Sequence, residues 1–307
     1  MLRPYIDAAQ ETSSPRKNYL PEGYSQMGNT LRELQLCELQ ILKDVRAVFD
    51  RHGLRYYLSG GSLLGAVRHQ GFIPWDDDID IMMPYDDYCR FLEVAQEELG
   101  EKYFVQNSDS DPSYAFAYTH IRKNNTTVLS EWDHLFYTHH GAWIDITPLV
   151  KVKGNKDRRI KNTLLRICYF LIMEDNAFSV NKTWFEERSS KSMVQLVILA
   201  RKLPESLRRK IRQRILNWII HEKKGDLISF IWARLSVPVP AEAYEGEPAW
   251  LRFEDDVFPA PNGYDLFLTR SYGDYMTPPP PERQNGGHGE TLTIDLERDW
   301  TEYCEKT

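Results

Sequence analysis

Apolar residues recur every three or four positions in the segment that follows residue 30. They are Leu34, Leu36, Leu39, Leu42, Val45 and Val48. This spacing predicts an amphipathic helix over about 31–51, which Gly53 can terminate. Residues 1–28 combine Pro, Ser, Gly and charged side chains without a period, so we expect an N-terminal arm before the helix.

The chain then changes to short strands separated by turns. Arg55–Leu58 predicts a strand, and the turn Ser59-Gly60-Gly61-Ser62 separates it from a second helix. Ile79–Met82 alternates apolar and polar positions and predicts another strand, which Pro84 ends. Further predicted elements are a helix over Tyr85–Gly100 and strands over Tyr103–Val105, His120–Arg122, Thr127–Leu129 and Ala142–Thr147, the last closed by Pro148.

The segment 151–224 differs from the rest of the chain in charge. It holds 19 Lys/Arg and 7 Asp/Glu, a net of +12, so the remainder carries −19. An apolar stripe at i, i+4 spacing predicts a helix there, formed by Leu203, Leu207, Ile211, Ile215 and Ile219. We therefore divide the chain into the arm 1–28, a catalytic core 29–150, a basic helical insertion 151–250 and a C-terminal segment 251–307 that packs on the core.

Composition narrows the class of protein. Hydrophobic residues make up 42% of the 307 residues and charged residues 27%, which is typical of a soluble globular chain. The net charge of −7 argues against a dedicated nucleic-acid binder. The four cysteines form no C-x-x-C pair, and neither a signal peptide nor a membrane-spanning run is visible. These features favour a reduced, cytoplasmic setting.

The candidate chemistry lies in the acidic run Asp76-Asp77-Asp78-Ile79-Asp80. On a strand, Asp78 and Asp80 point to the same face while the isoleucines pack behind them. Two unpaired carboxylates repel each other unless a cation joins them, and Mg²⁺ or Mn²⁺ prefers such oxygen ligands. Asp76 is a further candidate ligand. The alternative is a solvated acidic turn, which this pattern alone does not exclude.

The glycine turn upstream strengthens the functional interpretation. Gly61 and Ser62 follow a strand and precede a helix, where free backbone N–H groups and the helix dipole favour phosphate. Strand, Gly-Ser turn, helix and an Asp-x-Asp strand form the layout of the nucleotidyltransferase (DNA polymerase β-like) fold. The sequence therefore predicts an α/β (α+β) protein with a mixed sheet flanked by helices. Asp145, with the same apolar flanks, is the expected third carboxylate; its alternative role is to cap the turn before Pro148.

Longer stretches of the sequence resemble the LicD family, the bacterial phosphocholine transferases related to animal fukutin-related proteins. The matching stretches are Tyr57–His69, Gly71–Asp80, Ala142–Leu149 and, near the end, Leu268, Tyr272–Met276, the prolines 278–281 and Glu282-Arg283. Together they cover roughly residues 30–150 and 250–290. The family usually has Gly-Thr where this chain has Gly61-Ser62, so the hydroxyl is kept.

The resemblance implies transfer of phosphocholine, or another substituted phosphate, from a CDP-activated donor to a glycan precursor such as teichoic acid or lipopolysaccharide. Asp78, Asp80 and Asp145 would be the catalytic carboxylates, with Asp145 either a metal ligand or a base. Arg68 and Arg122 are candidate phosphate ligands beside Gly61 and Ser62; a surface ion pair is the plainer role for Arg68.

Several alternatives stay open. The same fold can transfer a nucleoside monophosphate to a small molecule or protein, and a non-catalytic binding module is a second alternative. The basic insertion is either a solvated cap or a contact with anionic, lipid-linked acceptors at the inner membrane surface. Aromatic faces attract a choline headgroup, but no cage is assigned among the candidates Tyr114, Phe116, Tyr118, Trp132 and Trp143. A zinc site at His120, His134, His139 or His140 has little support, because no Cys or Glu stands at ligand spacing. His120 and Arg122, on a predicted strand, are candidates to face the phosphates, and His288 is a similar candidate.

Overall fold

The computed structural model describes residues 30–111, 114, 116–130, 138–180, 191–221, 224–230, 235–284 and 291–303. Predictions for the N-terminal arm and for Trp132, His134, His288 and Cys304 lie outside the described residues. Within the described part, the mixed α/β fold expected from the sequence is confirmed. No helix in it is long and apolar enough to span a bilayer.

Helix α1, Leu31–His52, forms where the apolar periodicity predicts it. Thr30 and Glu33 cap its first turn reciprocally, because the Thr30 side chain accepts from the Glu33 N–H and the Glu33 carboxylate accepts from the Thr30 N–H. Gly53 ends the helix in the left-handed conformation, at φ 58°. The buried side of α1 supplies much of the main hydrophobic core.

A seven-stranded mixed sheet forms the centre of the molecule, in the order β1-β2-β6-β4-β3, with β7 beside β6 and β8 beside β7. The strands are β1 Tyr57–Leu58, β2 Asp80–Pro84, β3 Tyr103–Gln106, β4 Thr119–Lys123, β6 Trp143–Val152, β7 Leu227–Phe230 and β8 Val239–Pro240. The β2–β6 pair is parallel, whereas β4 and β7 run antiparallel to β6. Helices α2, Gly60–His69, and α3, Tyr85–Leu99, follow β1 and β2.

Pro148 does not end β6 as predicted, because the strand continues to Val152. The Asp145 N–H points toward β2, where it donates to the Ile79 carbonyl. Backbone N–H groups alternate in direction along a strand, so the nitrogen of Pro148 points away from β2, to the opposite edge of β6. On that side the partner changes from β4, last paired at Ile146, to β7, first paired at Leu149. The missing N–H of Pro148 therefore falls in a gap between two neighbouring strands.

The segment predicted as a helical insertion contains α4, Asn155–Val180, α5, Lys191–Ala200, and α6, Glu205–Ile220. It also contains β7 and β8, which extend the central sheet. A smaller hydrophobic cluster joins α4 and α6 to the end of β6, through Val150, Val152, Leu165, Cys168, Leu216 and Ile219. The insertion thus shares the sheet of the core, and the boundaries given above stay a prediction.

The predicted apolar stripe of α6 is only partly correct. Leu203 and Leu207 are 41% exposed, whereas the buried positions on the helix are Arg212, Leu216 and Ile219. An arginine therefore occupies the inward face, where it donates to two backbone carbonyls, those of Tyr114 and Phe116. Its stem and its carbonyl partners explain why the helix turns this basic position inward.

The C-terminal segment returns to the core. The hairpin of β9, Ala249–Phe253, and β10, Asp256–Ala260, precedes helix α7, Tyr264–Tyr272. Strand β11, Thr291–Asp295, pairs with β5, Thr127–Ser130. Buried phenylalanines from the hairpin and α7 lie in the main core with the apolar residues of α1 and α3.

Candidate active site

The register of the central strands brings distant carboxylates together. Asp80 on β2 lies directly opposite Asp145 on β6, although 65 positions separate them in sequence. Asp78 precedes β2 by two residues and points to the same region. The Ile81 and Ile146 side chains, one position along each strand, enter the core and hold the two strands in this register. The sheet thus aligns acidic residues from two segments on one face.

One carboxylate oxygen from each of Asp78, Asp80 and Asp145 lies within 4.8 Å of the others, and we call these three residues the carboxylate cluster. Asp78 and Asp145 are buried, and Asp80 is half-buried. Burial, followed by the charges of Asp80 and Asp76, raises the pKa of Asp78 well above its ordinary value. Without a cation the cluster therefore opposes its own ionisation.

The cluster fits a hard divalent cation. Asp145 Oδ1 is buried, and His120 Nε2 is the group that the structure places against it, at 2.9 Å. Three carboxylates so close together repel one another, and a cation with oxygen ligands would offset this repulsion. Mg²⁺ and Mn²⁺ both prefer such ligands. Asp76, the further ligand predicted from sequence, forms a second group of close carboxylates with Asp77 and Asp78.

The two glycines of the turn make room for these carboxylates. A Cβ at Gly60 would overlap Asp80 Oδ2, and a Cβ at Gly61 would overlap Asp76 Oδ2. Gly60 also has φ 47°, a conformation that favours glycine. The cluster therefore lies against the first turn of α2, where N–H groups lack intrahelical acceptors and the dipole favours negative charge.

The Ser62 side chain binds strand β2 and does not point into open space. Its hydroxyl is buried and accepts a hydrogen bond of 2.9 Å from the Asp80 N–H. The Ser59 N–H donates to the Asp80 carbonyl, so both sides of this residue are tied to the turn. Ser62 thus positions Asp80, while the predicted phosphate contact of Gly61 and Ser62 stays a proposal.

Two buried or half-buried side chains hold the loop that leads into the acidic run. Gln35 on α1 donates to the carbonyls of Ile73 and Asp76, at 3.3 and 2.9 Å. Glu254, after β9, accepts from the Phe72 N–H. The loop is therefore fixed from both sides, which keeps Asp76 near the cluster.

His120 was given little weight by the sequence, yet it touches the cluster. It lies opposite Asp145 in the β4–β6 register, and its Nε2 is 2.9 Å from Asp145 Oδ1. Arg122 donates to His120 Nδ1, to Gln106 Oε1 and to the Gly141 carbonyl. Because Nδ1 accepts from Arg122, the proton of the neutral ring lies on Nε2, facing Asp145.

Arg122 is therefore placed behind His120 and not at the cluster itself. Its guanidinium is buried and lies over the Trp143 ring, 4.6 Å from the centroid. The predicted phosphate contact by Arg122 stays untested, but the described contacts make it a support of His120. Pairing of Arg122 with the ring of an adjacent strand explains why sequence spacing alone did not show this role.

Four of the aromatic residues considered for a choline cage surround the same imidazole. The rings of Tyr114, Tyr118, Phe116 and Trp143 have centroids 5.0, 5.3, 6.2 and 6.0 Å from that of His120. The His120 ring therefore occupies the space between these four aromatic rings. Their packing around it fixes the histidine beside the cluster.

Arg68 connects the site to the C-terminal segment. Its Nη1 donates to the Tyr275 carbonyl at 2.9 Å, and the group is half-buried. Tyr272, at the end of α7, has a ring that is 47% exposed. Burial of its hydroxyl and the charges of Asp80, Asp76 and Asp78 raise the pKa of Tyr272, so the hydroxyl faces the acidic side of the site. Sequence reasoning noted the segment only for its resemblance.

Glu38 is a buried carboxyl group that the sequence did not single out. It lies on α1, fully buried, and neither of its oxygens has a hydrogen-bond partner. Burial, followed by the charges of Asp78 and Asp77, raises its pKa well above the ordinary value. Both effects disfavour the anion of Glu38, which lies beneath the acidic run.

Comparison with known proteins shows which proteins this chain is similar to. A model described as LicD/FKTN/FKRP, nucleotidyltransferase domain, matches residues 53–156, which include all three residues of the cluster. The lipopolysaccharide cholinephosphotransferase LicD of Haemophilus influenzae is 34% identical over 277 residues, covering 84% of this chain and 96% of that protein. The mouse ribitol 5-phosphate transferase FKRP is 32% identical over 122 residues, or 36% of this chain and 24% of that protein.

Proposed function

The chain belongs to the LicD family, and we propose that it is a divalent-cation-dependent phosphotransferase acting on a CDP-activated donor. The transferred group is phosphocholine or a similar substituted phosphate, and the acceptor is a hydroxyl of a cell-surface glycan precursor. The observation that carries the proposal is the carboxylate cluster against the first turn of α2. The names of the two relatives, a cholinephosphotransferase and a ribitol 5-phosphate transferase, support the class of reaction.

In the proposed reaction, the oxygen of an acceptor hydroxyl forms a bond to the phosphorus that carries the alcohol, and its proton is released to water. The bond from that phosphorus to the oxygen bridging the two phosphates breaks, and CMP leaves. Asp78, Asp80 and Asp145 would hold Mg²⁺ or Mn²⁺, with Asp76 beside them. Such a cation neutralises charge on the diphosphate and on the departing CMP.

The chain's own groups would complete the site. The first-turn N–H groups at Gly61 and Ser62 would hold phosphate oxygens, as helix N-termini do. Arg68, which also contacts the C-terminal segment, would pair with the donor phosphate. His120 would orient Asp145 through its Nε2, and we assign Asp145 to the cation rather than to proton transfer because its carboxylate lies within 4.8 Å of those of Asp78 and Asp80.

The fold supports the same conclusion. We propose that residues 29–150 form a nucleotidyltransferase-type core, to which 251–307 adds α7 and the β9–β10 hairpin. The parallel β2–β6 pair with acidic residues at facing positions and a glycine turn before a helix are the features that support it. The insertion 151–250 would face the acceptor, since anionic precursors would be attracted to its basic helices.

Incubation with labelled CDP-choline, CDP-ribitol and CDP-glycerol in the presence of Mg²⁺ tests the function. We expect release of CMP that depends on an added glycan acceptor and stops on chelation with EDTA. The matching family description also names a nucleotidyltransferase domain, so CTP is included in the panel. Release of pyrophosphate from CTP without CMP from any CDP-alcohol would replace the proposal with nucleotidyl transfer.

A protein that binds these donors without turning any of them over would be a binding module on the same fold. Isothermal titration with each donor, run beside the turnover assay, separates that outcome from a wrong choice of donor. We expect the preferred donor both to bind and to be consumed.

A further inference from the structure

Helix α5, the turn at 201–204 and helix α6 expose several large apolar side chains, and we call this part of the insertion the α5–α6 hairpin. Leu199, Leu203 and Leu207 follow each other at i, i+4 spacing around the turn between the helices, and they are 59%, 41% and 41% exposed. Ile198 beside them is 37% exposed. We call these four residues the apolar corner. Contiguous exposed leucines on a charged protein surface mark a contact site.

The exposed face of α6 continues from this corner. Leu207 and Trp218 are eleven residues apart, which is about three helical turns, so they lie on the same side of the helix. Trp218 is 50% exposed. The buried residues Arg212, Leu216 and Ile219 occupy the opposite side. Leu207 and Trp218 thus lie on the exposed side of α6, and the Trp218 ring also lies 5.9 Å from the Nζ of Lys161 on α4.

Positive charge surrounds this face. Residues 191–221 contain eight Lys/Arg and one Asp/Glu, which is Glu205. Lys202 lies beside the corner, and Lys210 and Arg214 lie near the Leu207–Trp218 line; all three are exposed. Glu205 is bound to Arg209. Leucines and a tryptophan flanked by cations match the composition of helices that lie in the interface of an anionic membrane.

We propose that the α5–α6 hairpin binds the surface of an anionic membrane, with the apolar corner and Trp218 inserted among the lipid headgroups. The charge complementarity selects this partner over a neutral surface, because each Lys or Arg near an anionic bilayer adds attraction. The proposal is independent of the transfer reaction. Among the cations of α6, Arg212 faces inward and cannot contact lipid.

Vesicle flotation of the full chain tests the proposal. The probes are vesicles of phosphatidylcholine alone and vesicles with about one-third phosphatidylglycerol, which provides a negative surface. We expect binding to the anionic vesicles only, weakened by salt. The variant Leu199→Ser/Leu203→Ser/Leu207→Ser should lose about tenfold or more in affinity. The variant Lys202→Gln/Lys210→Gln should lose about thirtyfold.

The matched control is Leu36→Ser/Trp250→Ser/Val257→Ser, because these three residues are 48%, 59% and 45% exposed on other surfaces. It should float like the unchanged protein. Absence of binding by the unchanged protein, or equal loss in the control, would overturn the proposal. Light scattering in solution is the second readout: a leucine variant that dissociates a dimer while vesicle binding stays unchanged would assign the face to a second copy of the chain instead.

Discussion

The carboxylate cluster and the α5–α6 hairpin are both dense in charge, but the charges of the cluster are mostly buried and those of the hairpin are mostly exposed. In the cluster, Asp78 and Asp145 are buried beside Asp80, so like charges lie close together away from water. In the hairpin most cations are exposed, and the one buried on α6, Arg212, donates to two carbonyls. A buried cation that donates to backbone carbonyls supports structure, whereas buried carboxylates of like charge are suited to holding a cation.

The two regions meet at the segment 114–120. Arg212 holds the carbonyls of Tyr114 and Phe116, whose rings lie against His120. His120 in turn lies beside Asp145. The insertion therefore supports the cluster through a chain of described contacts, and its outward face is left for other partners.

The largest effect should follow from removing one charge of the cluster. Asp80→Asn keeps the shape of the side chain but lowers its attraction for a cation by one charge. We expect turnover of the CDP donor to fall about a thousandfold, because cation stabilisation of a phosphoryl-transfer transition state amounts to several kcal/mol. The exposed Asp86→Asn, on α3, is the control and should keep full activity. A fully active Asp80→Asn would remove the basis for the metal proposal.

A smaller effect should separate Arg212 from the exposed arginines. Arg212→Met removes two charge-assisted hydrogen bonds, so we expect the free energy of unfolding to fall by about 2–3 kcal/mol in urea titrations. Arg209→Met loses only an exposed pair with Glu205 and should change stability by less than about 0.5 kcal/mol. Equal effects of the two substitutions would contradict the contrast between inward and outward cations.

Tyr272 tests whether the C-terminal segment contacts the donor. Its half-exposed ring is suited to stacking on the cytosine base, which contributes about 1–3 kcal/mol per base in other proteins. Tyr272→Ala should therefore raise the KM for the donor by roughly fivefold to a hundredfold, with little change in kcat. Tyr272→Phe should behave like the unchanged protein. If Tyr272→Phe raises the KM for the donor as much as Tyr272→Ala does, the hydroxyl and not the ring makes the contact.

Glu38 should produce the smallest effect, visible as a pH dependence. Its folded-state pKa is raised, so its contribution to stability is present below the unfolded pKa and is lost as the pH rises through the folded pKa. Each unit of that shift corresponds to about 1.4 kcal/mol. Glu38→Gln should therefore reduce the loss of thermal stability between pH 5 and pH 8, measured in EDTA. An unchanged slope would show that Glu38 is not held neutral.

Local patterns predicted much of this structure. The helix over Leu31–His52 and the strands bearing Asp80 and Asp145 follow from periodicity, because their apolar residues face one core. Pairing partners do not follow from periodicity. The passage of β6 through Pro148 depends on a change of neighbour from β4 to β7, which only the assembled sheet reveals.

Sequence patterns also predicted only part of the candidate site. Asp78 and Asp80 were found because they alternate with isoleucines after a glycine turn. His120 reaches Asp145 only through the β4–β6 register, and Glu38 reaches the acidic run only through the packing of α1. Arg212 and Leu216 are buried one position after the stripe residues Ile211 and Ile215, so the inward face of α6 follows the apolar stripe only at Ile219. Tertiary packing decided these cases.

Binding of Mn²⁺ in the presence of CDP-choline, followed by electron paramagnetic resonance, tests the central claim most directly. It measures the cation at the carboxylate cluster without requiring the correct acceptor. We predict that the unchanged protein binds Mn²⁺ with the donor and that Asp145→Asn weakens this binding by about tenfold or more, since Asp145 is one of the three close carboxylates that would hold the cation. Equal Mn²⁺ affinity in the two proteins would contradict the account.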